Sequence, residues 1–159
     1  ENSIADVIRE EYTEADVIMG TATAGIAHAA IAAHILGLPM GYVRSGAKDH
    51  GRGNQIEGQL NKGDKVVIVE DLISTGGSVI DAATALRNAG AEVLGIVSIF
   101  TYGMQKGLDR LAQENLKNIS LTNFDVISEV AVDESYIRPE DRERLIAFRN
   151  NPSDEGWIK

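Results

Sequence analysis

Two acids, Glu70 and Asp71, follow the apolar run Lys65-Val66-Val67-Ile68-Val69 and precede Leu72-Ile73-Ser74-Thr75-Gly76-Gly77-Ser78. A core strand gains nothing from carboxylates at its end, whereas the vicinal hydroxyls of a ribose could donate to both. In the turn beyond, two glycines permit close backbone approach and three hydroxyls can donate. The following helix offers unpaired N–H groups, a combination suited to a phosphate. The stretch has no P-loop lysine and no G-x-G-x-x-G spacing, so it is neither a Walker motif nor a dinucleotide fingerprint. Taken alone, Ser-Thr-Gly-Gly also fits an ordinary turn with a helix cap, and the acids also fit solvated strand-end charges.

A second glycine-containing turn, Gly20-Thr21-Ala22-Thr23-Ala24-Gly25, joins a short apolar run to an alanine-rich segment. Arg44 then opens a polar stretch, Ser45 to Asn54, which holds Lys48, Asp49 and His50 among glycines. With no core periodicity, that stretch is expected to be a loop, mobile when empty. The remaining conspicuous residues carry less. His28 and His34 lie roughly 240° apart around a helix and cannot form an i, i+4 metal pair. Trp157 reads as a docking aromatic. Lys106, Arg110, Arg142 and Arg144 read as solvated helix faces.

Three strand, turn and helix units position these groups. Asp16 to Met19 leads into a helix ending near Gly37, Lys65 to Val69 into one ending at Gly90, and Glu92 to Phe100 into a helical pattern through Leu108 and Leu111. Such alternation predicts an α/β fold of right-handed βαβ units around a mainly parallel sheet flanked by helices. Met40 to Arg44 adds a strand, and Phe124 to Val132 and Pro139 to Arg149 add two helices. Ligands of such sheets bind beyond the carboxyl ends of the strands, where both glycine-containing turns fall.

The 159 residues fit a single domain, with no repeat or linker. The absence of cysteine excludes thiol catalysis and thiolate metal sites and favours a reducing compartment, in keeping with the cytoplasm. A formal net charge of -9 argues against nucleic-acid or anionic-membrane partners. The longest apolar stretch, Gly25 to Met40, is broken by histidines, glycine and proline and is unsuited to a membrane span. Glu1 is not an initiator residue, so the natural chain is expected to begin earlier.

Val66 to Ser78 resembles the phosphoribosyl pyrophosphate (PRPP) motif of type I phosphoribosyltransferases, and Arg44 with Lys48-Asp49-His50-Gly51 is similar to the catalytic loop of the orotate phosphoribosyltransferases. The resemblance extends over nearly the whole chain. It implies the type I phosphoribosyltransferase fold with a mobile catalytic loop, and transfer of phosphoribosyl from PRPP to orotate. It further implies that Glu70 and Asp71 hold the ribose hydroxyls within a substrate-binding run that includes Leu72 and Ile73. Thr75, Gly76, Gly77 and Ser78 would hold the 5-phosphate, Ser74 would also face orotate, and the loop bearing Thr21, Ala22 and Thr23 would hold pyrophosphate. Asp71, Lys48 and His50 would be catalytic, with Arg44, Lys48 and His50 reaching across a homodimer to the partner's site. Magnesium is the implied cofactor, carried by phosphates, with no side chain assigned as its direct ligand. The family's N-terminal hood, which covers the base site, would precede Glu1. Some members carry lysines where Ala24 and Ser45 stand and an arginine near Tyr102, so this chain is similar to the bacterial variant.

A purine or uracil phosphoribosyltransferase would share the PRPP motif, but the Lys48 to Gly51 loop disfavours it. A non-catalytic PRPP-binding regulator would need a nucleic-acid surface that this acidic composition does not offer.

Overall fold

The computed structural model describes residues 1–44, 46 and 55–158. One sheet of six strands organises the chain, in the order β3-β2-β1-β4-β5-β6. These are β1 (Val17–Thr21), β2 (Met40–Val43), β3 (Ile56–Gly58), β4 (Lys65–Ile73), β5 (Glu92–Thr101) and β6 (Asn118–Asn123). All neighbours are parallel except β2 and β3.

The β-branched run of β4 is buried on both faces, as a central parallel strand requires. Its period-two alternation divides the core. Val66 and Ile68 join the cluster beneath α3 (Gly77–Asn88), while Val67 and Val69 join the cluster beneath α1 (Asn2–Glu11) and α2 (Gly25–Leu36). Val17 and Met19 of β1 follow the first side and Ile18 the second. The remaining helices are α4 (Gln105–Gln113), α5 (Phe124–Asp133) and α6 (Pro139–Asn150), ending in the short 3-10 helix η1 (Glu155–Ile158).

The expected βαβ units are present, and three further elements join them. Helix α1 docks through Ile4 and Ile8, an i, i+4 pair that marks one helical face. Strand β3 has three residues, too few to display a period. Strand β6 reads Asn-Ile-Ser-Leu-Thr-Asn and lies at the sheet edge, where a polar strand pairs through its backbone without an apolar run to announce it. Strand β4 continues past Val69 to Ile73, so the two acids lie within the ladder instead of beyond it. Trp157 packs edge-on against Phe148 with ring centroids 5.0 Å apart, the docking role expected of it.

Candidate active site

Strands β1 and β4 run parallel in register, Gly20 opposite Val69, so the segments that leave their carboxyl ends emerge side by side. Thr21 is buried at the end of β1 and donates weakly to the Val69 carbonyl at 3.4 Å. Ala22 N–H bonds the Val43 carbonyl at 2.8 Å, tying the turn to β2, and Thr23 follows through a cis peptide. From β4, Ser74 and Thr75 lead to Gly76, whose φ of 73° is the left-handed conformation that glycine adopts without steric cost. Gly77 and Ser78 open α3. The first intrahelical bond there runs from Ile80 N–H to the Gly76 carbonyl, which leaves the first-turn N–H groups for a ligand.

Both turns and Arg44 border one cleft of about 270 Å³, lined by Thr21, Ala22, Arg44, Gly77 and Ser78 among others. Arg44 and Gln55 close its rim: Arg44 N–H bonds the Gln55 carbonyl at 2.9 Å, and Gln55 Nε2 donates to the Arg44 carbonyl at 3.1 Å. Arg44 Nη1 also meets Glu57 Oε1 at 3.1 Å, a partly exposed pair of small energetic weight. Asp81 also lines the cleft, four residues beyond Gly77 and therefore on the same helical face, a spacing present in the sequence without any local motif to mark it. Lys48 and His50 lie outside the described residues.

Glu70 is only 5% exposed, which removes the reading of a solvated strand-end charge for it, while Asp71 is half-buried. Burial pushes the Glu70 carboxyl up to about 7, and Asp71 adds to the rise. The nearby Thr21 hydroxyl and a hydrogen bond from Asp71 N–H, at 3.0 Å, act in the opposite direction. Ile73 is 3% exposed within the α3-side core, so of this residue the backbone, and not the side chain, is at the site's edge. Leu72 is 40% exposed.

The raised value has a consequence for stability. The folded chain keeps the Glu70 proton to higher pH than the unfolded chain, whose value lies near 4.5, so this group lowers stability as pH rises from about 4.5 to about 7. Glu70→Gln removes the burden and should raise the melting temperature by about 2–4 °C at pH 8, with little change at pH 4.5. Thermal melts at both values check it. A variant that melts below wild type at pH 8 would mean that the ionised carboxylate is well solvated or paired.

A larger cavity, about 810 Å³, lies among α5, α6 and η1 beside Tyr136, Arg144 and Trp157 and contains none of these groups.

Paired carboxylates, a glycine turn at a helix N-terminus and a second turn beside it define a phosphosugar-handling domain, and the family model described as a phosphoribosyl transferase domain matches residues 2–135. An orotate phosphoribosyltransferase of Listeria innocua is 55% identical over 157 residues, covering 99% of this chain and 74% of the relative. That of Bacillus subtilis is 51% identical over 158 residues, covering 99% and 73%. The crystal structure of orotate phosphoribosyltransferase from Aeropyrum pernix superposes with a TM-score of 0.71 at 30% identity, covering 80% of this chain and 73% of that one. The chain belongs to the orotate phosphoribosyltransferase family.

Proposed function

We infer that this chain transfers the 5-phosphoribosyl group of PRPP to orotate, giving orotidine 5'-monophosphate and pyrophosphate in pyrimidine biosynthesis. The observation that carries this reading is the single cleft into which β1 and β4 deliver two anion-binding turns, with the acid pair adjoining one of them. A substrate with a phosphate at one end of a ribose and a pyrophosphate at the other matches that layout.

The N–H groups and hydroxyls of Thr75 to Ser78 grip the 5-phosphate, and Glu70 and Asp71 accept from the ribose hydroxyls. The turn at Thr21, Ala22 and Thr23 takes the pyrophosphate, and Ser74 faces the base. A nitrogen of orotate forms the new bond to the anomeric carbon as the bond to the pyrophosphate oxygen breaks. The electron pair leaves with pyrophosphate and the nitrogen's proton passes to solvent. Positive charge grows on the ribose in an oxocarbenium-like transition state, which the neighbouring carboxylates stabilise, so no nucleophilic side chain is needed.

Magnesium suits this donor set, because Glu70 and Asp71 offer oxygen and the ion binds phosphates with few protein contacts. When bound, it neutralises charge developing on the pyrophosphate. Lys48 and His50 complete the pyrophosphate side, and we place them in the site of a partner subunit in a homodimer; Arg44, expected to reach across with them, borders this chain's own cleft instead. No helix among the described residues is long and apolar enough to cross a membrane. A cytoplasmic location accords with the cysteine-free composition.

Orotate absorbance should fall on mixing with PRPP and magnesium, and hypoxanthine, guanine and uracil should not be consumed. Consumption of a purine with orotate inert would overturn the assignment.

A further inference from the structure

The expectation that Arg110 belongs to a solvated helix face does not hold. It is half-buried, and its Nη1 donates to the Thr75 carbonyl at 3.1 Å. Three residues of one face of α4 back the turn that follows β4. A Cβ on Gly107 would stand 2.4 Å from the Ser74 carbonyl oxygen, so only glycine admits this approach. Leu111 lies 3.5 Å from where a Cβ on Gly76 would be, and the Arg110 guanidinium 3.6 Å from that position on Gly77. The spacing 107, 110, 111 is the i, i+3, i+4 pattern of one helical side.

These contacts orient two peptide groups. In a planar trans peptide the C=O and the following N–H point in opposite directions. With the Ser74 and Thr75 carbonyls turned onto α4, the N–H groups of Thr75 and Gly76 point away from it. We propose that Arg110 is a positioning residue for the 5-phosphate: it locks the Thr75–Gly76 peptide with its N–H toward the anion and adds positive charge behind the turn. Without it, a glycine-flanked peptide is free to rotate and present a carbonyl to the phosphate, and binding must then bear the cost of ordering it. The inference rests on the proposed placing of the 5-phosphate at Thr75 to Ser78.

The test uses the complete enzyme with Arg110→Ala, Arg110→Lys and Arg110→Gln. PRPP kinetics are measured together with inhibition by ribose 5-phosphate, which probes this turn, and by pyrophosphate, which probes the other. For Arg110→Ala, KM for PRPP and the inhibition constant of ribose 5-phosphate should both rise roughly tenfold, as for loss of one charge-assisted hydrogen bond. Pyrophosphate inhibition should stay within about twofold, and kcat within about threefold. Lysine should recover most of the loss because it restores charge and a donor. Glutamine, which keeps a donor without charge, should fall between the two and serves if the alanine variant does not fold. An unchanged ribose 5-phosphate constant in both the alanine and glutamine variants overturns the role of Arg110, as does equal weakening of pyrophosphate or a lysine variant no better than alanine. Wild-type turnover of PRPP alongside such results leaves the proposed reaction standing. A wild-type enzyme that consumes no PRPP with any base removes both.

Discussion

Lys48→Ala lowers turnover roughly 100- to 1,000-fold, the scale of losing one preorganised charge stabiliser, while weakening PRPP binding much less. The leaving pyrophosphate gains negative charge only as its bond to ribose breaks, so a cation placed to meet that charge acts more on kcat than on ground-state affinity. Lys48 lies in sequence between Arg44 and Gln55, and those two residues are bonded to one another at the rim of the cleft. Steady-state kinetics of the purified variant decide the matter: normal turnover would make Lys48 an ordinary surface charge.

Mixing two inactive variants should restore activity. Lys48→Ala damages the loop and Asp71→Asn damages the ribose site, and each homodimer carries its defect in both sites. If the loop serves the partner subunit, a mixed dimer joins intact Asp71 of one chain to intact Lys48 of the other, making one whole site and one doubly defective site. Random reassortment of equal amounts gives about half mixed dimers, so roughly a quarter of wild-type activity should return. Subunit exchange is verified separately by pull-down of differently tagged chains. Demonstrated exchange with no gain in activity would show that Lys48 and Asp71 act within one chain, and the shared-site arrangement would fall.

The groups proposed to hold PRPP stand out in the sequence because their signals are local. The alternation of Val66 to Val69, the two acids after it and the Ser-Thr-Gly-Gly turn each occupy a few consecutive residues, and turn chemistry depends on such neighbours. Arg110 was not legible for the same reason. As one cation on a surface-patterned helix it looks like Lys106, and only the approach of Gly107 to Ser74 places it against a turn 35 residues earlier in the chain.

From the sequence alone came the α/β class, the succession of strand, turn and helix, and the residue types that could grip a phosphorylated ribose. Tertiary structure alone decided that β6 pairs at the edge of the sheet, that α1 closes one face, and that Glu70 is buried deeply enough to hold its proton to about 7. It also brought the turn after Gly20 beside the turn after Ser74, through the parallel register of β1 and β4. Burial and juxtaposition depend on which distant surfaces pack together, and no short window of sequence contains both partners of such a contact.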